Sequence, residues 1–222
     1  MPAVLCIETA THLCSVAVCD GGRVLASRDE EDHERYTHAE RLNILVDEAM
    51  KEAGLAMRDL RAVAVGIGPG SYTGLRIGLS AAKGFCYALG IPIVGVNTLT
   101  TLTSALHASR FTPHADAAFH AMIDARRMEV FKGDPVHALI LSEEWIAGLD
   151  KSRQQVVFGE GADKAAELWK GHAHVLHVPG VKPHASAMAA MAAERFNTKG
   201  FDDLAYLVPL YGKEANVTKA PQ

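Results

Sequence analysis

A chain of 222 residues, 49% apolar and 22% charged, carries enough apolar surface for one large core or two interlocked halves. Its formal charge of -4 excludes nucleic-acid binding by a bulk basic surface, which needs clustered Lys and Arg to release counterions. The four cysteines, Cys6, Cys14, Cys19 and Cys86, lie in apolar runs without a CxxC pair, which excludes a cysteine zinc site and reads as buried thiols of a reducing compartment.

The opening runs "AVLCIETA" and "LCSVAVCD" are apolar and β-branched, and Asp20 to Gly22 supply a tight turn before "RVLASRDEE", so three antiparallel strands are expected. "ERYTHAERLNILVDEAMKEAG" has helical spacing, with Leu42, Leu45, Val46, Ala49 and Ala53 on one face and Gly54 as its stop. "RAVAVGIG" and "IPIVGVN" read as strands buried on both faces. Between them, Leu75 to Val96 is almost long enough to span a bilayer, but Arg76, Lys83 and the break at "GIP" make it a buried helix followed by a strand. With no basic segment before the first apolar run, the chain is expected to carry no signal peptide, to touch no membrane and to be cytoplasmic.

The first part, residues 1–102, therefore reads β-β-β-α-β-α-β. From residue 103 a second α/β half is expected: two strands around "DARR", a strand and short helix in "VHALILSEEWIAGL", a strand and helix in "QVVFGEGADKAAELWKG", the strand "AHVLHV" and the helix "HASAMAAMAAERFNTKG". The last segment can return to the first half, and disorder is expected only after Tyr211.

The stretch "GIGPGSYTGLRIGLSAAKGF" sits at a strand–loop–helix junction, where α/β proteins place anions. It lacks the lysine of a phosphate loop, and residue 73 is Thr where a dinucleotide fingerprint has Gly. Gly68, Pro69, Gly70, Ser71, Thr73 and Arg76 are therefore expected to form at most a vestigial nucleotide or anion loop. At about 100° per residue, Arg76, Ser80, Lys83 and Tyr87 form one polar stripe, with Gly74, Gly78, Ala81 and Phe85 opposite. So wide an apolar arc suggests a second packing surface, either a neighbouring helix or another chain.

"GPGSYTGLRIGLSAAKGFCYALGIPIVGVNTL", with "LCIETATHLCSVAV", "THAERL" and "IDARRMEVF", resembles the glycoprotease-like (peptidase M22-like) family of tRNA threonylcarbamoyladenosine biosynthesis, specifically its non-catalytic branch. The match is good to about Val130; beyond it only the length and the "YLVPLY" ending agree. The resemblance implies an α/β, actin-like ATPase (ribonuclease H-like) fold with two related halves. It also implies a scaffold or activating subunit rather than an enzyme, for the catalytic paralog has "HxEGH" after the strand matching "VGVN", and its two metal-holding histidines correspond here to Thr98 and Leu102. His33 and His38 are about 140° apart on a helix and make no substitute pair; His38 reads as a hydrogen-bonded structural histidine. No metal is expected, and no cofactor of its own, ATP and Mg being used by partner subunits; "ETAT", Glu8 to Thr11, has alanine where actin-like ATPases bring a glycine against phosphate.

The implied partners are the catalytic paralog TsaD and the ATPase subunit TsaE, with a homodimer when alone and tRNA reached only through the complex. The implied interface runs over the first two helices: His38, Leu42, Leu45, Gly74, Gly78, Ala81, Ala82 and Phe85. An alternative is a stand-alone enzyme of the same fold, a small-molecule kinase or a peptidase. Asp124 and Arg126 in "DARR" are its best remaining pair, although a hairpin turn is the ordinary place for such residues.

Overall fold

The computed structural model describes residues 2–32, 38–109 and 111–213. His33, the "ERYT" that opens the expected helix, and the end of the tail expected to be disordered lie outside them.

The first half has the expected order. Strands β1 (Ala3–Glu8), β2 (Leu13–Asp20) and β3 (Arg23–Glu31) form an antiparallel meander, and Gly21 and Gly22 turn the second hairpin at φ of 56° and 86°. Helix α1 (His38–Glu52) leads to β4 (Leu60–Gly68), α2 (Tyr72–Leu89) to β5 (Ile93–Asn97), and the sheet order is β3-β2-β1-β4-β5 with β1, β4 and β5 parallel. Both helices end as their sequences require. Gly54 and Gly90 take positive φ, and the next residues donate back across the terminus, Leu55 N to Met50 O and Ile91 N to Cys86 O, both at 3.1 Å.

Alternation along the strands sorts the two faces of this sheet. Leu5, Ile7, Val16, Val18, Val63 and Val65 meet α1 and α2 through Leu42, Leu45, Val46, Leu79 and Ala82. The opposite face carries smaller residues, Cys6, Ala17, Cys19, Ala62 and Ala64, and onto it the chain returns at its end through Ala185, Met188, Ala189 and Ala192. The last two belong to α6 (Ala189–Asn197), whose small residues allow a close approach.

Residue 103, where the second half was expected to begin, lies inside α3 (Thr98–Ala108), so the halves are joined by a continuous helix. Beyond it come β6 (Ala118–Ala121), β7 (Ile123–Asp124), β8 (Glu129–Lys132), β9 (His137–Ile140), α4 (Glu143–Ala147), β10 (Gln155–Phe158), α5 (Glu160–Asp163) and β11 (Val175–Val178). They make two small sheets, β11-β10-β6, all parallel, and β7-β8-β9, antiparallel. Only Met122 separates β6 from β7. Taken as one strand broken there, the order becomes β9-β8-(β7/β6)-β10-β11, the order of the first sheet. The chain is thus an α/β protein of two related halves with the actin-like topology. The helix expected after β10 is a single turn of α5 followed by a 3-10 turn at Ala166–Trp169, where the Trp169 indole folds back and donates to Ala162 O at 2.9 Å.

Candidate functional site

Related turns from the two halves face each other across a cleft of about 550 Å³. One wall is the turn after β1, Ala10 to His12, with Gly70, Ser71 and Tyr72 at the start of α2. The other is the β7–β8 hairpin, Asp124 to Arg126, with Glu160 at the start of α5; Tyr211 and Lys213 close one end. This is the position where parallel sheets of this kind hold their ligands.

The polar groups of the first turn are turned inward on the chain itself. Glu8, wholly buried at the end of β1, accepts from Thr9 N at 2.9 Å and Ala10 N at 2.8 Å, so the amides that would face an anion are spent on a carboxylate. Its other oxygen accepts from the Thr98 hydroxyl at 3.2 Å. A side chain on Gly66 would overlap the Glu8 carboxylate, which is why that strand position has none. Burial pushes the Glu8 carboxyl up to about 7, against the lowering effect of its three hydrogen bonds. Burial also raises Glu160, whose charge adds to the effect on Glu8.

The glycine-rich turn serves close approach. Ser71 N donates to Ala10 O at 2.7 Å, and a Cβ on Gly70 would overlap that carbonyl. Ser71 then caps α2 by accepting from Gly74 N at 3.2 Å. Gly68, at φ of 109°, makes room for Leu210 O; Pro69 follows it in the turn. Of the six residues expected to make a vestigial anion loop, Gly70 and Ser71 line the cleft. Thr73 and Arg76 are exposed, and Arg76 lies over the Tyr72 ring with its NH1 donating to the Tyr72 hydroxyl at 2.9 Å. That places Arg76 in a second groove, with Ser80, Lys83 and Pro209, which adjoins the cleft through Tyr72 and Tyr211.

Asp124 and Arg126 both reach the cleft, but the Asp124 carboxylate is committed to the hairpin. It accepts from Arg126 N at 2.7 Å and pairs with Lys164.

The expected interface set divides differently. His38, Leu42, Leu45, Gly74, Gly78 and Ala82 are buried within the chain, and only Ala81 and Phe85 keep part of their surface. The reason is helical phase: Gly74 and Gly78 sit on the turn after β1, where a Cβ would overlap Thr9 O and Thr9 Oγ1 respectively, and Thr9 Oγ1 donates to Gly74 O at 2.8 Å. His38 Nε2–H donates to Thr11 O at 2.7 Å, and burial lowers its pKa, as suits a structural histidine. What α2 leaves outside is Thr73, Arg76, Ser80, Gly84, Tyr87 and Ala88; a Cβ on Gly84 would meet nothing within 4 Å, and Tyr87 is 84% exposed. Tyr72, at 53%, and Tyr206 and Val208 of the returning C-terminal segment, at 82% and 67%, are also outside, and Lys83 Nζ donates to Ala205 O at 3.1 Å, tying that segment to α2.

Residues 98 and 102 are both without exposure. Leu102 packs with Leu106, Ile123, Val156 and Phe158 at the junction of the halves, and Thr98 is bound to Glu8.

Sequence reasoning singled out the turn through Thr11 but missed His12, Glu160, Tyr211 and Lys213. The "FGEGAD" turn was the one available signal, being a second strand–glycine–helix junction. Nothing local marks Tyr211, which reaches the site by stacking on Tyr72 with ring centroids 4.8 Å apart.

The family model described as TsaD: tRNA N6-adenosine threonylcarbamoyltransferase matches residues 32–219. The chain is similar to the tRNA threonylcarbamoyladenosine biosynthesis protein TsaB of Haemophilus influenzae, 32% identical over 63% of this chain and 56% of that protein. It is also similar to TsaB of Escherichia coli, 36% identical over 58% of this chain and 52% of that protein. Each match thus spans about half the length of these relatives. Among solved structures, YeaZ from Pseudomonas aeruginosa superposes with a TM-score of 0.75 at 26% identity, covering 95% of this chain and all of that one. The chain belongs to the TsaD family, on its TsaB side.

Proposed function

We propose that the chain is the non-catalytic partner of a TsaD-type enzyme in tRNA threonylcarbamoyladenosine synthesis, supporting transfer of threonylcarbamoyl to the adenosine beside the anticodon in tRNAs reading ANN codons. The observation that carries this is the state of residues 98 and 102. Where the catalytic members have two metal-binding histidines, Leu102 is an unexposed core side chain and the Thr98 hydroxyl is taken by Glu8. Reaching a metal there would require opening the junction between the halves.

The cleft supports the same reading. A triphosphate needs amide donors and cations at its floor; the amides of Thr9 and Ala10 are held by Glu8, and Glu160 adds a second carboxyl. Any nucleotide and Mg would then belong to the partner subunits. The docking surface in this proposal is the outside of α2 and the adjoining C-terminal segment, Ser80, Gly84, Tyr87, Tyr206 and Val208, with Ala81 and Phe85 at its edge. Exposed aromatics grouped beside a glycine at which no neighbour limits approach are the composition of an interface core. In the absence of TsaD the same surface would pair two copies of this chain, and TsaE and tRNA would join through the heterodimer in the cytoplasm. Among the described residues, no helix is long and apolar enough to cross a membrane.

Reconstitution tests this. Purified TsaD, TsaE and an enzyme supplying the activated threonylcarbamoyl group should modify tRNA only when this chain is added, and the chain without TsaD should give no modified nucleoside. Modification by this chain in the absence of TsaD would instead favour the stand-alone enzyme.

A further inference from the structure

A second cavity, of about 440 Å³, lies away from the cleft, between α3 and the two small sheets. Asn97, Leu99, Thr100 and Thr103 form one side, and Phe119, His120, Lys132 and Asp134 the other. Lys132 ends β8 in one sheet and His120 lies on β6 in the other, so their contact is made only where the sheets meet.

The hydrogen-bond pattern there fixes each group in turn. Gln155 Nε2 donates to Asp150 O at 2.7 Å, which aims Gln155 Oε1 at His120. Oε1 is an acceptor, so His120 Nε2, 2.8 Å away, carries the proton and His120 Nδ1 has a free lone pair. That lone pair receives Lys132 Nζ at 3.3 Å. The ammonium lies over the Trp145 ring, 5.0 Å from its centroid, and burial lowers its pKa. Lys132 is thus a half-buried lysine whose partners are an uncharged imidazole and an indole face.

We propose that Lys132 is a selective acyl-acceptor site, its Nζ taking an acyl group from small acyl phosphates that enter this cavity. The uncharged amine attacks the acyl carbonyl carbon and a C–N bond forms. The C–O bond to phosphate breaks, its electron pair leaving on the phosphate oxygen, and the proton shed by Nζ passes to His120 Nδ1. The product is an uncharged amide in a place that disfavours charge, so the site favours the modified form. Burial already holds Lys132 below the ordinary lysine range and His120 below the ordinary histidine range, which keeps attacking amine and accepting imidazole uncharged together at lower pH than exposed groups would be. Other charged or titratable groups near the pair are Asp134 on the rim, Arg153 acting on His120, and His137, the residue paired with Lys132 across β8 and β9.

The test is incubation of the full chain with acetyl phosphate at about pH 7.5, with initial acetylation rates at each lysine read by peptide mass spectrometry. Lys132 should react several-fold faster than the exposed Lys51 and Lys170, and its rate should reach a plateau at lower pH than theirs. His120→Ala should remove most of that excess while leaving Lys51 and Lys170 unchanged. Should that variant fail to fold, as judged by circular dichroism, the comparison among lysines of the unaltered chain decides alone. A Lys132 rate equal to or below that of the exposed lysines overturns the proposal, as does an undiminished rate in folded His120→Ala.

Discussion

The Thr98 hydroxyl donates to the buried Glu8 carboxyl across 3.2 Å, joining the start of α3 to the end of β1. Both residues are without exposure, and burying the Glu8 carboxyl ties the stability of the fold to pH.

Glu8 should make the protein more stable as pH falls from neutrality. Its folded carboxyl is raised from 4.5 to about 7, so between those values the folded chain holds a proton that the unfolded chain releases. Stability therefore falls as pH rises through that window, and the full cost, at most about 3 kcal/mol, is present above it. Glu8→Gln keeps a carbonyl for the amides of Thr9 and Ala10, and the Thr98 hydroxyl can turn to accept from the new amide. Denaturant titrations should find the variant more stable than the parent at about pH 8 and its slope between about pH 4.5 and 7 reduced; an unchanged slope contradicts the assignment.

The helix glycines should separate by face. Gly74→Ala and Gly78→Ala push a methyl into Thr9 and should each cost about 1–3 kcal/mol. Gly84→Ala meets nothing and should gain up to about 1 kcal/mol from helix propensity. Thermal melting of the three variants reads this directly, and equal effects would refute the packing account.

Asp202 should hold the returning segment against the first sheet. Its carboxylate accepts from Gly95 N at 2.7 Å and from Arg195 at 3.0 Å, while Asp202 N donates to Ile93 O at 3.0 Å. Asp202→Ala leaves the Gly95 amide unpaired and should cost about 1–3 kcal/mol. Amide exchange should accelerate first at Gly95 and Asp202, ahead of β1 and β4.

Tyr87→Ala should weaken binding to TsaD without affecting the fold. The side chain is 84% exposed, so little intramolecular packing is lost. An aromatic anchor in an interface is worth about 1–2 kcal/mol or more, and titration calorimetry should register that loss.

The first half was legible in the sequence because its signals are local. Alternation and β-branching mark the strands, Leu42 to Ala53 mark the inner stripe of α1, and Gly54 and Gly90 mark helix ends. The second half was legible in its elements but not in its sheets, since the break at Met122 and the shortness of α5 depend on contacts with distant residues. The helix α2 shows the limit most sharply. Periodicity placed Gly74 and Gly78 opposite the polar stripe and called for a second packing surface, but it does not say which neighbour supplies that surface. Gly74 and Gly78 fit against Thr9 of the same chain, leaving Gly84 outside. Likewise, spacing gave no sign that Glu8 folds over the Thr9 and Ala10 amides, or that Tyr211 closes the cleft.

The central claim, that this chain acts by docking the outside of α2 on a TsaD-type partner, is tested most directly with Gly84→Trp. Gly84 has open space around it, so the substitution should leave the melting temperature within a few degrees of the parent while obstructing the surface. Mixed with TsaD on a size-exclusion column, the parent should elute as a heterodimer and Gly84→Trp as separate chains. Co-elution of folded Gly84→Trp with TsaD, at the parent's affinity, would contradict the account.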